Sequence, residues 1–190
     1  MDFHQADLLL LASLCGLRDL CGEFFDPKVL GFQHVTPAIR LLQEQKIAFT
    51  LHRYAHDATA ESFGDEAAAK LGVSPERMFK TLIAHVDGDA LVMTILPVAG
   101  KLDLKKLAAA GGGKKADLAD PKIAEKATGY VVGGISPLGG RKTLPTFLDE
   151  SACLFETIYI SAGQRGLQIE IAPDALQALS NAKMVALARE

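Results

Sequence analysis

Two short apolar runs, residues 79–86 (FKTLIAHV) and 90–98 (ALVMTILPV), stand only three residues apart across Asp87-Gly88-Asp89. Their length, their β-branched content and the glycine between them predict a β-hairpin, and a chain that contains it must build a sheet around it. Side chains two apart share one face of a strand, so Lys80 lines up with Leu82, Ala84 and Val86, while Phe79, Thr81, Ile83 and His85 form the other face. Both faces are largely apolar. An ammonium group in that setting either snorkels out at the strand end or serves a site, because burying it unpaired costs on the order of several kcal/mol.

Helix and strand signals alternate from Thr36 onward. In TPAIRLLQEQK, Thr36 is placed to cap a helix that begins with Pro37 and carries Ile39 and Leu42 on one apolar stripe. AFTLHRY reads as a strand, FGDEAAAKLG as a short helix ended by Gly72, and SPERM as the start of another turn capped by Ser74. Beyond the hairpin, LDLKKLAAAGGG and DPKIAEKA predict two helices, KTLPTFLD, ETIYIS and LQIEI predict short strands, and PDALQALSN predicts a helix that closes the chain. Helices mixed with hairpins indicate an α+β domain with a mixed or antiparallel sheet, not a doubly wound parallel one. A length of 190 residues, 49% of them hydrophobic, suffices for one domain with a substantial core.

The net charge of −3 argues against nucleic-acid binding by bulk electrostatics alone, yet the charge is unevenly spread. Residues 101–142 hold nine basic and four acidic side chains, a local +5 that leaves −8 for the remainder. A basic face on an acidic protein can hold a phosphate backbone without adhering to every polyanion; a solvated lysine-rich helix face explains the same numbers equally well. Cys15, Cys21 and Cys153 form no CxxC pair and no even framework, which fits a reducing compartment such as the cytoplasm, and Cys153 reads as a small core residue. His52 and His56 lie four apart in a stretch that looks extended, so neither a metal nor a cofactor is expected. In residues 1–34 the apolar run LLLLASLCGL is too short to span a bilayer and has no basic residue before it, so the segment reads as an N-terminal extension of uncertain status, without a membrane role.

A second stretch that could carry chemistry is GYVVGGISPLGGRKTLP, residues 129–145. Its glycines, with Ser136 and Pro137, allow backbone N–H groups to face a ligand closely. It is not a nucleotide-binding P-loop: Gly134 and Gly139 have the spacing, but lysine arrives too late, at Lys142, and Pro145 forbids the helix that should follow. A purely structural turn is the competing reading.

Taken in order, TPAIRLL, FGDEAAAKLG, FKTL, LPVAGKLDLKKLA, KKADLADP, ATGYVVGGISPLG, LPTFLDE and IYISAGQRGLQIEI resemble the YbaK-type (YbaK/EbsC) Cys-tRNA(Pro) deacylases, relatives of the editing domain inserted in bacterial prolyl-tRNA synthetases. The resemblance runs from about Val35 to the C-terminus, which divides the chain into an extension, 1–34, and a deacylase domain, 35–190. It implies a mixed sheet curled into a partial barrel with flanking helices. It also implies a stand-alone, cytoplasmic editing enzyme that removes cysteine from mischarged tRNA(Pro), acts at the acceptor end of the tRNA and works with prolyl-tRNA synthetase.

The family's essential lysine falls on Lys80, and Tyr54, Thr81, Gly134, Ser136, Ser161 and Gln168 fall on positions of the substrate pocket. The family reaction is assisted by the substrate: the cysteinyl thiol attacks its own carbonyl. On this resemblance Lys80 anchors the terminal adenosine or its phosphate, and N–H groups around Gly134 hold the carbonyl oxygen. Two departures stand out. Gln168 replaces an aspartate frequent in the family, and the tripeptide Val35-Thr36-Pro37 stands where members often begin with Met-Thr-Pro. A deacylase for another small aminoacyl-tRNA such as Ala-tRNA(Pro), and a non-catalytic module that binds tRNA or synthetase, are the alternatives.

Overall fold

The computed structural model describes residues 35–60 and 62–189; the extension 1–34 lies outside the described residues. Five α-helices build the helical part of the described chain. In α1 (Pro37–Glu44) the Thr36 hydroxyl accepts from the Ile39 N–H, and Ala38, Ile39 and Leu42 are buried. In α2 (Phe63–Leu71) Ser62 is the cap, and Gly72 ends the helix in the left-handed conformation at φ +65°. The Asp103 carboxylate caps α3 (Leu104–Ala110) by accepting the Lys105 and Lys106 N–H groups, and the Asp120 carboxylate caps α4 (Pro121–Thr128) by accepting that of Lys122. The last helix, α5 (Pro173–Ser180), has Pro173 at its start and no side-chain cap. Each cap satisfies donors that a helix start leaves unpaired, which is why short polar residues mark these boundaries.

The hairpin forms the middle of the larger sheet. Strands β2 (Phe79–Val86) and β3 (Ala90–Pro97) pair antiparallel along their whole length, with Lys80 opposite Leu96, and the turn places Asp87 and Gly88 at positive φ. A five-stranded sheet grows from this pair: β5 (Ala116–Leu118) joins β2 antiparallel, β6 (Thr146–Asp149) joins β3 parallel, and β9 (Lys183–Val185) joins β6 parallel. The sheet is therefore mixed, as an α+β domain requires. An antiparallel three-stranded sheet holds β8 (Leu167–Ile171) between β1 (Thr50–Arg53) and β7 (Ile158–Ser161), and β4 (Lys101–Leu102) pairs with β10 (Ala188–Arg189). A single parallel bridge, Met78 to Tyr159, links the two larger sheets among the described residues. The main core lies between α1, α5 and these sheets and includes Leu42, Phe79, Ile95, Leu148, Ile160 and Ile169.

Three expectations need correction. PDALQALSN does not close the chain, because β9 and β10 follow α5. Ser74 starts a hydrogen-bonded turn, its carbonyl accepting from Arg77 and Met78, and its hydroxyl bonds the Glu76 carboxylate rather than a helix N–H. Cys153 is exposed on a 3-10 turn (Glu150–Leu154), and the buried residue there is its neighbour Ala152.

Candidate active site

Strand β2 is covered by β3 along one edge but by β5 only over Ala84–Val86 on the other. On that second edge the next attachments are the Ala119 N–H donated to the Ile83 carbonyl and the bridge from Met78 to Tyr159. Between them, where the two sheets part, lies a pocket of about 380 Å³. Residues 79–83 form one wall, Ser62, Phe63 and Gly64 at the start of α2 a second, and Pro121 and Ala124 of α4 a third. Val98, Val132 and Ile135 add to a mostly apolar lining, and Ser161 and Gln168 reach it from the smaller sheet.

Lys80 sits on this wall, half-buried. Its Nζ donates to the carbonyls of Gly100 at 2.7 Å and Val98 at 3.2 Å, and no carboxylate lies within ion-pair distance among the described residues. An ammonium has three donors, so one remains for a ligand. Burial pushes its pKa below the usual lysine value, with the Asp65 charge opposing. The group is thus held in place by backbone dipoles and not neutralised by a counter-ion.

Two other polar atoms in the pocket lining are buried without a partner: the Thr81 Oγ1 and the Gln168 Oε1. Left unpaired, such atoms cost roughly 1–3 kcal/mol each. Ser161 and Gln168 face each other in the register of β7 and β8. The Tyr54 hydroxyl lies against Gln168, and burial raises its pKa. Lys80, Thr81, Ser161 and Gln168 therefore come together in one pocket with Tyr54 behind them. Gly134 and Ser136 do not line it. The Gly134 N–H is donated to the Val131 carbonyl, and the wholly buried Ser136 accepts from Leu138 N–H, so neither offers the ligand group expected of it.

Behind Gln168, the same face of the small sheet is held by Glu170. Its carboxylate accepts from Arg77 at 2.9 Å and Thr157 at 2.6 Å and meets His52 Nε2 at 2.8 Å. Burial raises the Glu170 pKa, but hydrogen bonds with Thr157, His52 and Tyr159 outweigh it and the net shift is downward. His56 pairs with Glu66 at 2.7 Å, so each of the two histidines faces a carboxylate. Among the described residues no group of three His, Cys, Asp or Glu side chains is placed to hold a metal ion.

Residues 57–179 match the aminoacyl-tRNA editing domain. The chain belongs to that family. Over 149 residues it is 39% identical to "Putative Cys-tRNA(Pro)/Cys-tRNA(Cys) deacylase EbsC" of Enterococcus faecalis (strain ATCC 700802 / V583), covering 78% of this chain and 90% of that protein. Its fold is similar to the crystal structure of "a putative trans-editing enzyme for prolyl tRNA synthetase", with a TM-score of 0.69 and 23% identity, covering 83% of this chain and 100% of that one. It is also similar to hypothetical protein APE2540, with a TM-score of 0.72 and 21% identity over 81% of this chain and 100% of that one.

Of the two adjacent glycines in this editing domain, Gly133 lines the pocket and the expected Gly134 does not. Gly133 has φ +86°, and a Cβ there would come within 2.7 Å of the Phe63 ring, so only glycine lets the loop close against that wall. Nothing in GYVVGGISPLGG distinguishes the two glycines, because the difference is set by Phe63, distant in sequence. Gly133→Ala is expected to cost about 1–2 kcal/mol of stability through the left-handed backbone. The same variant, by displacing Phe63, should lower deacylation roughly 10-fold, read from thermal melts and initial rates. Wild-type values in both would mean that the loop and Phe63 adjust freely.

Proposed function

We propose that this editing domain removes cysteine from mischarged tRNA(Pro), and from Cys-tRNA(Cys) when acting alone, using the substrate's own thiol. The observation that carries the reading is the Lys80 ammonium, tethered by two carbonyls and without a salt-bridged acid among the described residues, on the wall of a small and mostly apolar pocket. An aminoacyl ester is already activated, so the protein needs to supply orientation and charge stabilisation rather than a nucleophile of its own.

In the proposed reaction the thiolate sulfur bonds to the ester carbonyl carbon, the bond from that carbon to the ribose oxygen breaks, and the thiol proton ends on the ribose hydroxyl. Cysteine leaves as a cyclic thioester that water later opens. Lys80 uses its remaining donor to hold the terminal adenosine or its phosphate and to offset negative charge on the oxygens. The unpaired Gln168 Oε1 accepts from the substrate's ammonium group, the hydrogen-bonding part of what the family's aspartate supplies, and the Thr81 hydroxyl takes a second polar atom. The apolar wall of Phe63, Val98 and Ile135 receives the small side chain. Residues 35–190 act as the deacylase domain, in the cytoplasm. Selection of tRNA(Pro) comes from prolyl-tRNA synthetase as partner, since so small a domain reads little beyond the acceptor end.

Cys-tRNA(Pro) should be deacylated while Ala-tRNA(Pro), which lacks the thiol, is spared. Equal initial rates on the two would sink the thiol-assisted step and favour a water-dependent deacylase. No cleavage of either, with binding retained, would favour a module that only binds.

A further inference from the structure

The pocket accounts for the reacting end of a substrate but not for a line of cations that starts at its rim. Helix α4 contributes Pro121 and Ala124 to the pocket and turns Ala124, Ala127 and Thr128 inward. At about 3.6 residues per turn, the opposite side carries Lys122 and Lys126 one turn apart, both exposed. Where α4 ends, a later loop returns to it. The Arg141 N–H is donated to the Thr128 carbonyl at 2.9 Å, and the Lys142 N–H to the Ala127 carbonyl at 3.2 Å. The Arg141 side chain passes so close to Gly129 that a Cβ there would lie 3.0 Å from it.

None of these four cations has an anionic partner among the described residues. The four acids of residues 101–142 have other partners: Asp103 and Asp120 cap helices, Glu125 accepts the Val132 N–H, and Asp117 pairs with Lys115. Helix-dipole stabilisation explains cations at the C-terminal end of α4, but not Lys122 in its first turn, where positive charge is unfavourable. Two apolar side chains flank the line, Leu118 at the pocket mouth, 57% exposed, and Val131 beyond α4, 50% exposed.

We propose that the outer face of α4, from the Leu118 lip through Lys122 and Lys126 to Arg141 and Lys142, is the track on which the single-stranded 3′ end of a tRNA acceptor arm lies as its last nucleotide enters the pocket. The eight residues of α4 span about 12 Å, the rise of roughly three to four stacked nucleotides. The cations meet the phosphates, and Leu118 and Val131 meet ribose and base faces. Their unpaired state leaves them free for phosphate. This inference rests on the deacylase reading for its occupant, but its test needs no catalysis.

The test uses the full chain and an uncharged RNA hairpin with a single-stranded, four-nucleotide 3′ tail, with affinity read by fluorescence anisotropy. Four phosphate contacts predict that affinity falls about 50-fold between roughly 50 and 200 mM salt. The combined variant Lys122→Gln/Lys126→Gln/Arg141→Gln/Lys142→Gln should bind at least about 10-fold more weakly at the lower salt and lose most of that salt dependence. A control of equal charge, Lys46→Gln/Lys105→Gln/Lys114→Gln/Lys183→Gln, should stay within about 3-fold of wild type. Should the first variant fail to fold, Lys122→Gln/Lys126→Gln leaves the 140–142 loop intact and should show about half the loss of slope. Equal binding by track and control variants, or by hairpins with and without the tail, overturns the track, and intact deacylation in that case leaves the enzyme reading standing. Track-dependent binding by a protein that cleaves no ester supports the track and defeats the enzyme.

Discussion

Lys80→Ala should lower Cys-tRNA deacylation by about 10²–10³-fold, the scale on which single preorganised electrostatic donors act in acyl transfer, while leaving thermal stability near that of wild type. Burial lowers the Lys80 pKa, so the folded protein holds the charged form less well than the unfolded chain does. A base with a depressed folded pKa weakens folding at neutral pH, and its unfavourable contribution fades as pH rises toward the unfolded value. Losing the ammonium therefore removes a cost along with two hydrogen bonds to Val98 and Gly100. On the proposed function, this lysine does little for folding and serves the substrate. Lys80→Arg should also lose most activity, because a planar fork cannot replace a compact charge between two carbonyls. A Lys80→Ala protein that melts early but turns over normally per folded molecule would make the lysine structural.

Asp149→Ala should destabilise the domain by about 3–5 kcal/mol, a fall in melting temperature of roughly 10 °C for a chain of this size. Asp149 ends β6 and is only 4% exposed. Its carboxylate accepts from the Ser151 N–H and hydroxyl at 3.0 and 2.6 Å, and from the N–H groups of Leu187 and Ala188 at 2.7 and 2.8 Å. Burial raises its pKa, but the four bonds outweigh burial and the net shift is downward. A carboxylate with a depressed folded pKa adds stability above its unfolded value, near 3.9, and loses that stability as pH falls through the folded one. Chemical denaturation should accordingly show wild type losing stability below about pH 4 by an amount that Asp149→Ala lacks. A variant within about 1 kcal/mol of wild type, with the same acid limb, would mean that the C-terminal strands dock without it.

Much of the chain's local order is legible in the residues because its causes are local. Thr36, Ser62, Asp103 and Asp120 cap helices through N–H groups two or three residues away. Gly72 ends α2 at a positive φ that side chains disfavour, and Asp87-Gly88-Asp89 turns the hairpin by the same freedom. The likeness to the editing family, spread over many short motifs, points to Lys80, Tyr54, Thr81, Gly134, Ser136, Ser161 and Gln168, of which Lys80, Thr81, Ser161 and Gln168 line one pocket.

Tertiary structure decides the rest. Strands β9 and β10 are too short to carry a signal, at three and two residues, and exist because β6 and β4 present free edges to them. Cys153 lies outside and Ala152 inside because a 3-10 turn, not a strand, follows β6. Gly133 rather than Gly134 touches the pocket because the Phe63 ring lies against it. The charge excess of residues 101–142 becomes a track only when the loop of Arg141 and Lys142 bonds the end of α4. The sequence could name an ammonium in an apolar strand and the residues that resemble a site. Only the parting of two sheets beyond the Met78–Tyr159 bridge gives that ammonium a cavity to face, because a gap between strands belongs to the packing of distant segments and is encoded in none of them alone.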